Sequence, residues 1–270
     1  MNPMKSLLRT PTILLAMAPA LLSAFEIIAH RGASADAPEN TLEAMELAWE
    51  QKSDAAELDL WLSQDGRLIV FHDSDTKRFE PEKRKIKDLT LEEARKLDVG
   101  SFKDPKFAGT RVPSLESILA IIPDGKREVL EIKDGPEIIP ELVRVLKESG
   151  VPKEKYCVIS FNEASLRASK KALPDVPHYF LIGYKKDAKT GEFPQLEPLI
   201  TLAKEAGFEG LNLQSDWPIT PEFTAKVKAA GLKLMVWTVD DAALAQKLVD
   251  SGVDAITTNK PAWLREQLKK

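Results

Sequence analysis

With a single cysteine among its 270 residues, Cys157, this chain has no means of forming an internal disulfide or a cysteine-based zinc or redox pair. Set in the apolar run Tyr156-Cys157-Val158-Ile159, that cysteine reads as a small core hydrophobe. A surplus of positive charge is also missing. Against 38 Lys and Arg stand 42 Asp and Glu, a formal net charge of -4. This balance argues against broad binding of nucleic acid or anionic membrane and leaves room only for a local basic pocket. No internal repeat or low-complexity linker divides the chain, so one domain is expected. The clearest apolar stretch, Ile13 to Leu22, is too short for a comfortable membrane span of about 20 residues.

That stretch follows Lys5 and Arg9 and ends in Leu22-Ser23-Ala24, the order of a secretory signal peptide. No cysteine follows it, so a lipoprotein anchor is not supported. Cleavage after Ala24 would make 1–24 the signal and 25–270 the mature domain, periplasmic or secreted, with no stable membrane span left; an uncleaved N-terminal anchor or a buried helix is the alternative.

Beyond the signal, short β-rich runs alternate with amphipathic helical patterns. Strands are expected at Glu26–Ala29, Ala55–Trp61, Glu128–Ile132, Cys157–Ser160, His178–Ile182, Gly210–Leu213, Lys233–Thr238 and Ala255–Thr257. Helical patterns such as Thr41–Gln51, Pro136–Ser149 and Leu196–Ala206 lie between them, with Gly150, Gly207, Gly231 and Gly252 as stops. Strand then helix, eight times over, predicts an α/β fold of the TIM (β/α)8 barrel type rather than an open sheet. The rhythm breaks once, after the second barrel strand, where an insertion of about 62–112 is expected to lie on the catalytic face.

Charge inside the strands is the clearest oddity. In Glu57-Leu58-Asp59-Leu60-Trp61 a period of two places Glu57, Asp59 and Trp61 on one face. Two carboxylates on one buried face repel unless a cation lies between them, and hard oxygen donors point to magnesium, calcium or manganese rather than zinc. A solvated edge strand is the alternative. In Leu130-Glu131-Ile132-Lys133, Glu131 would join the pair as a third carboxylate and Lys133 could hold an anion. His30 ends the first strand and precedes Arg31-Gly32, while His72 ends the run Leu68–Phe71 and precedes Asp73. Each histidine alone could be a satisfied core residue. Together they suit a phosphodiester site in which one imidazole takes a proton and the other donates one. Arg31 would grip phosphate oxygens. His178 lacks such company and reads as structural.

His30-Arg31-Gly32, Pro38-Glu39-Asn40-Thr41, Glu57-x-Asp59, Asp65-Gly66, His72-Asp73, Pro113-Ser114-Leu115-Glu116 and Glu131-x-Lys133 closely resemble, in order, the motifs of the glycerophosphodiester phosphodiesterases. Ser160-Phe161, Trp237-Thr238-Val239 and Gly252-Val253-Asp254 extend the likeness to about residue 261. The resemblance implies hydrolysis of a small-molecule glycerophosphodiester to glycerol 3-phosphate and an alcohol. It implies His30 and His72 as the acid–base pair, and Glu57, Asp59 and Glu131 as ligands of one divalent cation, Ca2+ or Mg2+. By the same likeness Arg31 and Lys133 contact phosphate, Phe161 and Trp237 wall the pocket, and Glu39 and Asn40 stand behind the site. Asn40 as a plain helix cap is an equal reading. Export favours calcium slightly.

The chain also departs from that pattern. After His72-Asp73 it has Ser74-Asp75-Thr76-Lys77-Arg78-Phe79 where many relatives carry a leucine and an arginine-threonine-threonine run. Asn259 stands where an aspartate is frequent. The rivals are a phospholipase-type enzyme on the same barrel, which would want exposed aromatic residues at the rim, and an exported binding protein without catalysis.

Overall fold

A computed structural model of the protein describes residues 25–268, and the signal peptide expected at 1–24 lies outside the described residues. β1 (Glu26–Ala29) leads to α1 (Leu42–Glu50), and β2 (Ala55–Leu62) turns back into β3 (Leu68–Val70). α2 (Leu91–Ala94) and α3 (Leu115–Leu119) precede β4 (Arg127–Ile132). Regular alternation follows: α4 (Ile139–Ser149), β5 (Tyr156–Ser160), α5 (Glu163–Ala172), β6 (His178–Ile182), α6 (Leu196–Ala206) and β7 (Gly210–Gln214). α7 (Pro221–Ala229), β8 (Lys233–Trp237), α8 (Ala242–Asp250), β9 (Ala255–Thr258) and α9 (Pro261–Gln267) complete it.

The strands run in the order β1-β9-β8-β7-β6-β5-β4-β2, and β1 pairs with β2 to close the ring. All of these pairings are parallel, so the fold is the closed eight-stranded barrel that the alternation predicts. The two faces of each strand divide as the period of two requires. Ile28, Ala55, Val129, Cys157, Tyr179, Met235 and Ala255 pack together inside the barrel. Ala56, Leu58, Leu60, Leu130 and Ile132 pack outward with helix residues such as Met45, Leu142 and Leu166. Each such leucine or isoleucine contributes about 1.5–3 kcal/mol by leaving water, and this outer layer supports the charge placed inside. Thr41 caps α1 by accepting from the Ala44 amide, and Gly150 and Gly207 end α4 and α6 in the left-handed conformation.

The long β2–β4 connection has a small core of its own, built on Ile69, Phe71, Ile86, Leu89, Leu97, Val99 and Val112. Its first part is a hairpin. β3 runs antiparallel to β2, pairing Leu60–Leu62 with Val70–Leu68, and Gly66 supplies a positive φ in the turn. This pairing matters for the site. β1 touches β2 only at Ile28↔Ala55 and Ala29↔Ala56, and β3 takes over at Leu60. Between the two, at Glu57–Asp59, no strand among the described residues pairs with β2 on that side.

Candidate active site

Glu57 and Asp59 point into the barrel at this gap, and Asp59 lies directly beside Glu131 in the β2–β4 register. All three are buried, and one carboxylate oxygen from each lies within 4.8 Å of the others. The gap itself is filled by polar side chains. The Asn40 amide donates to Asp59 Oδ2 at 2.8 Å, and its oxygen accepts the Asp59 backbone N–H at 3.1 Å, replacing the missing strand partner. The Arg31 backbone N–H donates to Glu57 Oε2 at 2.9 Å. Arg31 and Asn40 both hold a left-handed backbone, φ 56° and 58°, a conformation that costs a side-chain-bearing residue about 1–2 kcal/mol and is held here by these bonds. Gly32 continues the turn at φ 78°, where a Cβ would meet the Ala44 carbonyl carbon at 2.5 Å. Only glycine fits that approach. Asn40 is therefore a clamp on β2, and the neighbouring Thr41 is the helix cap.

Burial, helped by the charges of Asp59 and Glu131, holds Glu57 well above the ordinary carboxyl range. Burial and the Asp59 charge push Glu131 up to about 7, against the pull of Lys133. Burial acts on Asp59 too, but Lys133 and then Arg31 outweigh it and hold Asp59 below its usual range. Lys133 Nζ stands 2.8 Å from Glu131 Oε1 and 3.4 Å from Asp59 Oδ1, and Arg31 Nε 3.4 Å from Asp59 Oδ2. Glu57 Oε1 has no hydrogen-bond partner among the described residues. Buried carboxylate oxygens facing one another, one of them unpartnered, are what a hard divalent cation would satisfy, so the donor set fits Ca2+ or Mg2+.

At the mouth, His30 Nδ1 lies 2.8 Å from Asn259 Oδ1. The amide of Asn259 is turned by Asp240, which accepts from its Nδ2 at 2.5 Å and from its backbone N–H at 2.8 Å. The Asn259 oxygen is thus an acceptor towards His30, which assigns the proton to Nδ1 and leaves Nε2 a free base. His72 Nδ1 lies 2.7 Å from Asp73 Oδ1, which assigns the same tautomer. Burial and the Arg31 charge bring His30 down to about 4. Burial lowers His72 as well, with Arg31 and Lys133 outweighing the support of Asp59 and Asp73. His30 is therefore neutral at neutral pH. Phe161 and Trp237 meet edge to face at 5.3 Å and form the opposite wall. A single pocket of about 390 Å³, its mouth included, is lined by His30, Arg31, Glu57, His72, Glu131, Lys133, Phe161 and Trp237. The larger cavity, at Glu26 and Arg127, opens at the other end of the barrel, away from these groups.

A glycerophosphoryl diester phosphodiesterase model matches residues 30–263. The chain belongs to this family. A glycerophosphodiester phosphodiesterase of Caldanaerobacter subterraneus subsp. tengcongensis is 35% identical over 250 residues, covering 90% of this chain and 98% of that protein. One from Bacillus subtilis is 31% identical, covering 87% and 83% of the two. Among solved structures, an Oleispira antarctica phosphodiesterase in complex with sn-glycerol-3-phosphate superposes with a TM-score of 0.81 at 27% identity, over 91% of this chain and 97% of that one.

The structure brings every site residue inferred from the sequence of this glycerophosphoryl diester phosphodiesterase family member to one pocket, with Asp59 just behind it in the carboxylate cluster. His178 is elsewhere, buried and bonded through both ring nitrogens to Val176 and Ser169. Sequence reasoning missed the Asp240–Asn259 relay behind His30. Asp240 reaches across from the β8–α8 connection to turn the Asn259 amide. It also missed Arg78, which stood in a run of charges and donates to both Glu39 and Asp73.

Proposed function

We propose that this protein hydrolyses glycerophosphodiesters to glycerol 3-phosphate and an alcohol, with one divalent cation and the pair His30 and His72. The observation that carries the reading is the convergence of three buried carboxylates, two cationic side chains and two imidazoles with free Nε2 atoms on one pocket. Glu57, Asp59 and Glu131 would hold the cation, which when bound supplies charge neutralisation at phosphate and a lowered hydroxyl pKa. Arg31 and Lys133 bind the phosphate oxygens. Phe161 and Trp237 exclude water from the glycerol side.

The two imidazoles then move the protons. One, neutral at Nε2, takes the proton of the glycerol 2-hydroxyl as that oxygen bonds to phosphorus; the other, which must first take up a proton from solvent at Nε2, gives it to the departing alkoxide as its P–O bond breaks. The roles reverse when water opens the cyclic phosphate: the second imidazole takes a proton from water and the first returns its proton to the 2-oxygen. No serine or cysteine nucleophile is needed. Substrate lacking the 2-hydroxyl should react far more slowly.

The test is release of glycerol 3-phosphate from glycerophosphocholine, with and without chelator, by wild type, His30→Ala and His72→Ala. Each variant should lose about 10²–10⁴-fold in kcat, and chelator should abolish turnover. Undiminished turnover by either variant would overturn the acid–base assignment. A second reading, action on a lysophospholipid, has one observation in its favour. Phe102, Phe161, Phe193 and Trp263 are exposed, and all lie on segments that leave the C-terminal ends of barrel strands. Lysophosphatidylcholine belongs in the same assay. Cleavage of that lipid in preference to glycerophosphocholine would select the second reading.

A further inference from the structure

Arg78, on the β3–β4 connection, has no place in the steps above, yet it joins two of their parts. Its Nη atoms donate to both oxygens of Glu39, at 2.9 and 2.6 Å, and its Nε donates to Asp73 Oδ2 at 2.9 Å. Glu39 Oε1 also accepts from Arg31 Nη1 at 3.0 Å. The other oxygen of Asp73 is the one beside His72 Nδ1. One guanidinium therefore holds the carboxylate that aims the phosphate-binding arginine and the carboxylate that aims an acid–base histidine. Two aromatic rings stand against the guanidinium as well, with the Phe79 ring centroid at 4.7 Å and that of Phe102 at 5.1 Å.

We propose that Arg78 is a positioning residue that sets Arg31 and His72 together, so that phosphate grip and proton transfer depend on one side chain from the β3–β4 connection. This rests on the function proposed above. Chemistry explains the residue type. A guanidinium presents five donors in a planar fork and bridges two carboxylates at once, whereas an ammonium is a point charge that satisfies one. Without Arg78, Asp73 loses its arginine and Glu39 keeps only Arg31. The Glu39 carboxylate is then free to turn, so Arg31 is aimed less firmly, and the carboxylate that fixes the His72 tautomer is no longer held in place.

The experiment measures kcat and KM separately for wild type, Arg78→Met, Arg78→Lys, Glu39→Gln, Asp73→Asn and the two double variants with Arg78→Met, all at saturating cation. Methionine keeps contact with Phe79 and Phe102 while removing the charge, and melting temperature identifies any variant that fails to fold. Arg78→Met is expected to lose about 10–100-fold in kcat/KM, split between higher KM and lower kcat. Glu39→Gln should reproduce mainly the KM part and Asp73→Asn mainly the kcat part. Neither should add fully to Arg78→Met, and Arg78→Lys should recover only part. A separate readout needs no turnover: ¹⁵N spectra of the imidazoles should show His72 fixed as the Nδ1–H tautomer in wild type and mixed in Arg78→Met. Arg78→Met within about twofold of wild type in both constants, or additive double variants, would overturn the proposal. If wild type cleaves no glycerophosphodiester, the reaction reading falls, and an unchanged His72 tautomer in Arg78→Met would sink the positioning claim on its own.

Discussion

Cation binding to this protein should release protons, and the number released should fall as pH rises. Glu131, pushed up to about 7, is about nine-tenths protonated at pH 6 and about one-tenth at pH 8. A bound cation needs the carboxylate, so binding must displace that proton. Glu131 alone then strengthens apparent affinity about tenfold from pH 6 to pH 8, or about 1.4 kcal/mol. Glu57, raised in the same direction, adds to this. Stability without cation runs the opposite way. A carboxyl whose folded pKa is raised stabilises the fold below the ordinary carboxyl range and loses that contribution as pH climbs to about 7. Cation at 100 times its Kd returns about 2.7 kcal/mol, or a melting shift of roughly 5–11 °C for a domain this size. Calorimetric titration of chelator-treated protein with Ca2+ or Mg2+, in buffers of different ionisation heat at pH 6 and pH 8, counts the protons. Glu131→Gln should weaken binding at pH 8 and flatten its pH dependence. Equal affinity at the two pH values with no proton release would refute the carboxylate site.

Two further outcomes test the packing around that site. Glu128, fully buried on the helix-facing side of β4, has no hydrogen-bond partner among the described residues for either carboxylate oxygen and is held by burial well above its ordinary pKa. Glu128→Met should stabilise the fold by about 1–3 kcal/mol, more at pH 8 than at pH 5. Urea unfolding at the two pH values checks it, and a destabilised variant would refute it. Asn40→Ala leaves the Asp59 amide and carboxylate without their partner, so chelator-treated protein should lose about 1–3 kcal/mol. Added cation should restore less than it gives to wild type.

The parts of this molecule that follow a local period were legible in the sequence. Glu57 and Asp59 share a face because a strand repeats every two residues, and Glu131 joins them because β4 is the next barrel strand. What depended on long-range register was not. The run Leu68–Phe71 was visible, but its antiparallel pairing with the end of β2 is fixed by the turn at Gly66 and the core beneath the connection. Asn40 could be a cap or a clamp until the start of α1 was known. Once Thr41 caps that helix, the left-handed Asn40 is free to reach Asp59. Asp240 and Asn259 sit on different connections, and no spacing rule joins them. Arg78 was lost among Lys77–Lys87, where most charges face water.

The β1–β2 seam also bears on how this protein can change. Along it the barrel is closed by two residue pairs and then by Asn40, Arg31 and the carboxylates themselves. The groups that would do the chemistry are also the clasp of the barrel, so an alteration there threatens fold and activity at once. The opposite rim carries no such double duty. Phe161 and Phe193 stand on connections beyond β5 and β6, half open to solvent, and neither takes part in the pairing of the barrel strands. New substrate preferences are therefore expected to arise by remodelling that side, with the clasp held fixed while the rim drifts.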